Sequence, residues 1–136
     1  MKTFDIIVIG GGPAGCAMAL DLNCRGYDVA LCDQAKFPRD KVCGEFISPG
    51  ADPILERLGV LASIEALAPK RLKGVAISSY ESAELGIDYP ASTETGLRPS
   101  SLSVPRYQLD ALFLKQIQST GVKVFEQHKV TDFIFD

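Results

Sequence analysis

An α/β fold with a parallel sheet at its start is predicted by three features near the N-terminus. An apolar run rich in β-branched residues, FDIIVI at 4–9, reads as a buried parallel strand. GGGPAG follows at 10–15 and puts Gly10, Gly12 and Gly15 in G-x-G-x-x-G spacing. A second apolar run, DVALCD, ends in the acidic Asp33. Strand, glycine loop, helix, strand and terminal acid in that order make a Rossmann-like, dinucleotide-binding βαβ unit.

Each part of that unit has a physical task. Gly10 permits the tight turn, Gly12 lets the backbone approach a pyrophosphate, and Gly15 lets the helix pack on its strand. Pro13 suits a first helical turn, where its missing N–H costs nothing. With Ala14, these residues form the N-terminus whose N–H groups and dipole face phosphates. The helix continues through AGCAMALDLNC and stops at Gly26. Asp33 stands where a carboxylate bonds a ribose hydroxyl and would repel a 2′-phosphate, which disfavours NADP. FAD and NAD both remain open on these residues alone.

The next segment, FPRDKVCGEF at 37–46, has neither helical nor strand period. PILERLGVLASIEAL reads as two short helices parted near Gly59, with Ile54, Leu55, Leu58, Leu61, Ile64 and Leu67 as core positions. KGVAISSY and ELGIDYP read as strands around polar turns, with Tyr80 and Tyr89 as core rather than ligand. A helix follows, capped by Ser103, with Pro105 in its first turn, a stripe of Leu109, Leu112, Phe113 and Ile117, and Gly121 at its end. Arg106 in the first turn is poorly placed for the helix dipole and hints at an anionic partner, while Asp110 reads as structural. VKVFE is then a third core strand, and KVTDFIFD starts another. His128 has no visible base or nucleophile partner and is assigned no chemistry.

Composition narrows the classes. The chain has 136 residues and a formal charge of −3, one domain's worth of slightly acidic, globular sequence. Nothing in that balance points to nucleic acid or an anionic membrane. Asp5 interrupts the opening run, and Gly and Pro soon break it, so neither a spanning helix nor a signal peptide is expected. The four cysteines, at 16, 24, 32 and 43, form no C-x-x-C pair, and His128 is the one histidine. No metal site is expected, and the thiols suit a reducing, cytoplasmic setting. Cys16, Cys24 and Cys32 read as small core residues.

Residues 5–51 closely resemble the start of FAD-dependent oxidoreductases in the geranylgeranyl reductase group. They are also similar to flavin-dependent monooxygenases and halogenases of the p-hydroxybenzoate hydroxylase type. Pro38, Arg39, Lys41, Cys43 and Gly44 match a Pro-Arg-x-Lys-x-Cys-Gly segment that runs beside the flavin in those families. Arg106, Leu109 and Asp110 match a later Arg-x-x-Leu-Asp. The resemblance implies a Rossmann-like FAD-binding domain interrupted by the start of a substrate-domain sheet. It divides the chain into a βαβ unit with its flavin-side loop at 1–50, partial substrate domain at 51–104, and a return to the FAD domain at 105–136.

It also implies that FAD is held by Gly10, Gly12, Pro13, Ala14, Gly15, Asp33, Arg39, Cys43, Gly44, Arg106 and the Val130 backbone, with NAD(P)H as a possible external donor. Reduction of isoprenoid double bonds is the activity it implies first; monooxygenation, halogenation or a non-catalytic nucleotide-binding module are the alternatives. The substrate would be a small isoprenoid or aromatic molecule, and a lipid substrate would imply peripheral membrane contact. The families' later Gly-Asp pair is absent, so an N-terminal fragment is expected, cut mid-strand at TDFIFD. Its uncovered apolar faces would favour self-association. No acid, base or nucleophile stands out, so the catalytic residues are unassigned.

Overall fold

The computed structural model describes residues 2–80, 84–90 and 98–134. In chain order the elements are β1 (Ile6–Ile9), α1 (Pro13–Cys24), β2 (Val29–Cys32), β3 (Phe46–Ile47), α2 (Asp52–Arg57), α3 (Leu61–Glu65), β4 (Lys70–Leu72), β5 (Gly74–Ser78), β6 (Glu84–Asp88), β7 (Ser101–Ser103), α4 (Arg106–Gln118) and β8 (Lys123–Phe125). They form two compact units, one of Met1–Val42 with Arg106–Asp136 and one of Cys43–Pro105. Residues 43–50 therefore pack with the second unit.

The first unit holds a parallel sheet of order β1–β2–β8, with Ile6 opposite Val29 and Leu31 opposite Val124. The predicted βαβ unit and third strand are all present. Val29, Ala30 and Leu31 of the central strand are buried. β1 departs from the buried strand expected of it, since Ile7 is 58% exposed and Ile9 50%. Side chains alternate between faces, and one face of this edge strand is uncovered among the described residues.

Helices α1 and α4 pack together through Cys16, Ala19 and Leu20 on one and Leu109, Phe113, Leu114 and Ile117 on the other. Each large side chain buried there contributes about 1.5–3 kcal/mol. α1 stops where Gly26 takes φ +90°, a left-handed turn that favours glycine. Two hydroxyls close α4: Ser119 Oγ donates to the Gln116 carbonyl at 2.7 Å and Thr120 Oγ1 to that of Ile117 at 2.6 Å.

Three local expectations fail. Ser103 caps no helix, because it lies in β7, paired with Phe46 and Lys70, and α4 begins only at Arg106, too far along for its hydroxyl to stand at the N-cap. KVTDFIFD forms no strand among its described residues, and its last two residues lie outside them. Cys24 is exposed and Cys32 only half-buried, which leaves Cys16 alone of the three in the core.

The second unit has an antiparallel sheet of order β3–β7–β4 and a β5–β6 hairpin. Leu55, Leu58, Leu61 and Ile64 of the α2–α3 region are buried as expected, but Ile54 and Leu67 are exposed. Tyr80 is also fully exposed rather than in a core, whereas Tyr89 is half-buried with its ring 6.5 Å from Phe46. Arg71 pairs with the buried Asp52 at 2.9 Å and also with Glu65. Those guanidinium hydrogen bonds hold the Glu65 carboxyl below its usual range. No helix is long and apolar enough to cross a membrane among the described residues.

Candidate nucleotide site

The glycine loop of the first unit opens onto a cleft of about 690 Å³. Gly10, Gly12, Ala14, Gly15, Asp33, Arg39 and Val130 all line it, together with Lys41, His128 and Lys129. Pro13 begins α1, and Gly12 precedes it with extended backbone. Gly10 takes φ +104°, so the turn into the loop is one that glycine adopts at little cost. A Cβ on Gly15 would fall 1.9 Å from the Gly10 carbonyl oxygen, so glycine alone fits where helix meets loop.

Asp33 organises this end of the sheet. Its Oδ2 accepts from the Gly11 N–H at 2.6 Å and its Oδ1 from that of Ala35 at 2.7 Å. Its carbonyl accepts from the His128 N–H at 2.9 Å, which ties the turn after β8 to the rim of the cleft. Each carboxylate oxygen thus accepts one backbone N–H, which fixes the side chain at the end of β2 on the rim of the cleft. Glu126 assists by accepting the Phe37 N–H at 2.6 Å.

Arg39 and Arg106 come from distant parts of the chain and converge on Gly12. A Cβ there would lie 3.6 Å from Arg106 Nη2 and 3.9 Å from Arg39 Nη2. Arg106 donates through Nε and Nη2 to the two carboxylate oxygens of Asp110, each at 3.0 Å. Arg39 Nη1 lies 3.4 Å from Asp110 Oδ2, its Nη2 lies 3.9 Å from Asp33 Oδ2, and its guanidinium stacks 4.9 Å over the Phe37 ring. A space above an unsubstituted glycine, at a helix N-terminus and beside two guanidinium groups, fits a pyrophosphate. On that ground the chain's residues suit a dinucleotide such as FAD.

Cys16 supports the loop from behind, its Sγ donating to the Gly11 carbonyl at 3.3 Å. Burial, reinforced by the nearby carboxylates of Asp110 and Asp33, pushes the thiol up to about 12. It stays protonated at neutral pH and is a poor nucleophile. Cys43 and Gly44 belong to the second unit; Cys43 is exposed, and open space surrounds the Cα of Gly44.

The sequence reading gave no role to Gly11 or Phe37, and it read Asp110 as structural without its pairing to the two arginines. A Cβ on Gly11 would meet the Phe37 ring at 3.0 Å and Asp33 Oδ2 at 3.3 Å, so this glycine outside the motif spacing is also confined. The unbroken triplet of glycines was the signal available for it. For Asp110, the i, i+4 spacing from Arg106 was such a signal.

A family model described as FAD binding domain matches residues 3–136. The chain is 34% identical over 132 residues to a menaquinone reductase of Mycolicibacterium smegmatis, covering 97% of this chain and 31% of that protein. It is 33% identical over 137 residues to a tryptophan 2-halogenase of Chondromyces crocatus, covering 96% and 24%. Among solved structures, CmlS, a flavin-dependent halogenase, superposes with a TM-score of 0.86 at 32% identity, covering 97% of this chain and 24% of that one. The chain thus spans about a quarter to a third of the length of these relatives.

Proposed function

The chain belongs to the FAD-binding-domain family, and on that premise we propose that it is the FAD-binding portion of a flavin-dependent halogenase or monooxygenase. The observation that carries the cofactor part is the pair of guanidinium groups beside Gly12 at the start of α1. The likeness to a tryptophan 2-halogenase and to CmlS supports the enzyme class. Reduction of isoprenoid double bonds, implied first by the resemblance, receives no specific support from the relatives. A quinone-reducing enzyme is the second reading, favoured by the 34% identity to a menaquinone reductase.

FAD, when bound, supplies the two-electron redox chemistry. The chain's own residues bind and orient it. Amides of the glycine loop and the start of α1 meet the pyrophosphate, Arg39 and Arg106 neutralise its charge, and Asp33 accepts from a ribose hydroxyl. The Val130 backbone lines the adenosine end. Cys43 and Gly44 match the flavin-side segment of the resembled families, and NAD(P)H would serve as an external donor.

Gly12→Ala tests the cofactor part without disturbing the fold, because its Cβ would make only ordinary contacts with the two arginines. The methyl would occupy the phosphate's place. In a flavin-fluorescence titration the unaltered chain is expected to bind FAD saturably, and Gly12→Ala to bind at least about tenfold more weakly with an unchanged unfolding midpoint. Equal affinity in both would refute the assignment. Oxygen consumption by the FAD-loaded protein would favour the first enzyme class, and quinone reduction without it the second.

A further inference from the structure

We propose that Asp110 is a positioning residue of this site, a single buried carboxylate that holds Arg39 and Arg106 in place for the phosphates of a dinucleotide. The inference rests on the FAD-binding reading above and extends it to a residue that need not touch the cofactor. Asp110 is fully buried, while the side chains of Arg39 and Arg106 are 17% and 14% exposed. Its two oxygens receive Arg106 as a fork, at 3.0 Å each, and Arg39 approaches one of them at 3.4 Å. A fork fixes the plane of a guanidinium as well as its distance. Both arginines are long side chains whose ordering is otherwise entropically costly. Held chiefly by Asp110, they reach Gly12 already oriented, with the Asp33 carboxylate, 3.9 Å from Arg39 Nη2, as a second and more distant negative charge. The α4 turn carrying Arg106 and Asp110 sits beside α1, and Nη2 of each arginine is its atom nearest the Cβ position of Gly12.

Asp110→Asn gives the proposal an unusual sign. Removing a negative charge beside an anion site should, on charge alone, tighten anion binding. Loss of positioning should weaken it. The test is binding of ADP and of adenosine to the full 136-residue chain, followed by amide chemical shifts. The expected result is ADP weakened roughly tenfold by Asp110→Asn, with adenosine unaffected, as for a lost charge-assisted hydrogen bond.

Tighter ADP binding would overturn the proposal, and so would an equal loss for both ligands. If the unaltered chain binds ADP and Asp110→Asn matches it, the proposal alone fails. If the unaltered chain binds no ADP, the FAD-binding reading fails and takes the proposal with it. Should Asp110→Asn not fold, hydrogen exchange at the Arg106 Nε–H of the unaltered chain decides. Slow exchange supports a guanidinium held by Asp110, and exchange as fast as that of an exposed arginine overturns it.

Discussion

Gly15→Ala is expected to destabilise the glycine-loop unit by roughly 4 kcal/mol or more, among the largest effects a single methyl can have. Its Cβ would fall 1.9 Å from the Gly10 carbonyl oxygen and 3.1 Å from the Gly10 carbonyl carbon. Both are backbone atoms in the turn joining β1 to α1, and Gly10 is itself tied by its N–H to the Cys32 carbonyl at 2.8 Å. The turn cannot retreat without breaking that bond and the α1 contact with the sheet. Urea unfolding followed by circular dichroism measures the loss. Gly44→Ala, at a glycine with open space around it, should be near neutral by comparison.

Arg106→Ala is expected to cost about 3 kcal/mol, at the lower end for breaking a buried ion pair. The expense comes from Asp110, which would stay fully buried with both hydrogen bonds from Arg106 gone. Arg39, 3.4 Å away, limits the damage. Replacing both partners by leucine removes the stranded charge, so Arg106→Leu/Asp110→Leu should unfold closer to the unaltered chain than Arg106→Ala does. A thermodynamic cycle on urea midpoints checks this. A double variant no more stable than Arg106→Ala would show that the pair matters for something other than charge compensation.

What was legible in the sequence follows from how local each signal is. The βαβ unit was readable because its strand, loop, helix and acid succeed one another within a short stretch, with Gly10 favoured by its positive φ and Gly15 forced by the Gly10 carbonyl. Arg106 was also readable, as a cation at the wrong end of a helix dipole. Its meeting with Arg39 was not, since the two lie on separate segments joined only by the fold. Ser103 shows the opposite failure: a sound local cap signal at a residue the fold places in β7, paired with Phe46 and Lys70, partners far away in the chain. The exposed faces of Ile7 and Ile9 are of the same kind, because a continuous apolar run states that a strand can be covered without stating that it is. Ile54 and Leu67 fail likewise, each fitting a helical apolar pattern whose outer members lie beyond the packed side.

The central claim is that the glycine-loop cleft at the start of α1, lined by Gly12 and Arg39 and with Arg106 close to Gly12, receives the phosphates of FAD. Mapping backbone amide and arginine Nε shifts while FAD is added to the 136-residue chain tests it most directly. The account predicts saturable shifts concentrated at residues 10–15 and 33–35, at Val130, and at the Nε of Arg39 and Arg106. Saturable shifts confined to other residues, such as Arg71, Lys73 and Tyr89 around the second unit's cavity, would contradict it, as would a folded chain whose glycine-loop amides do not move.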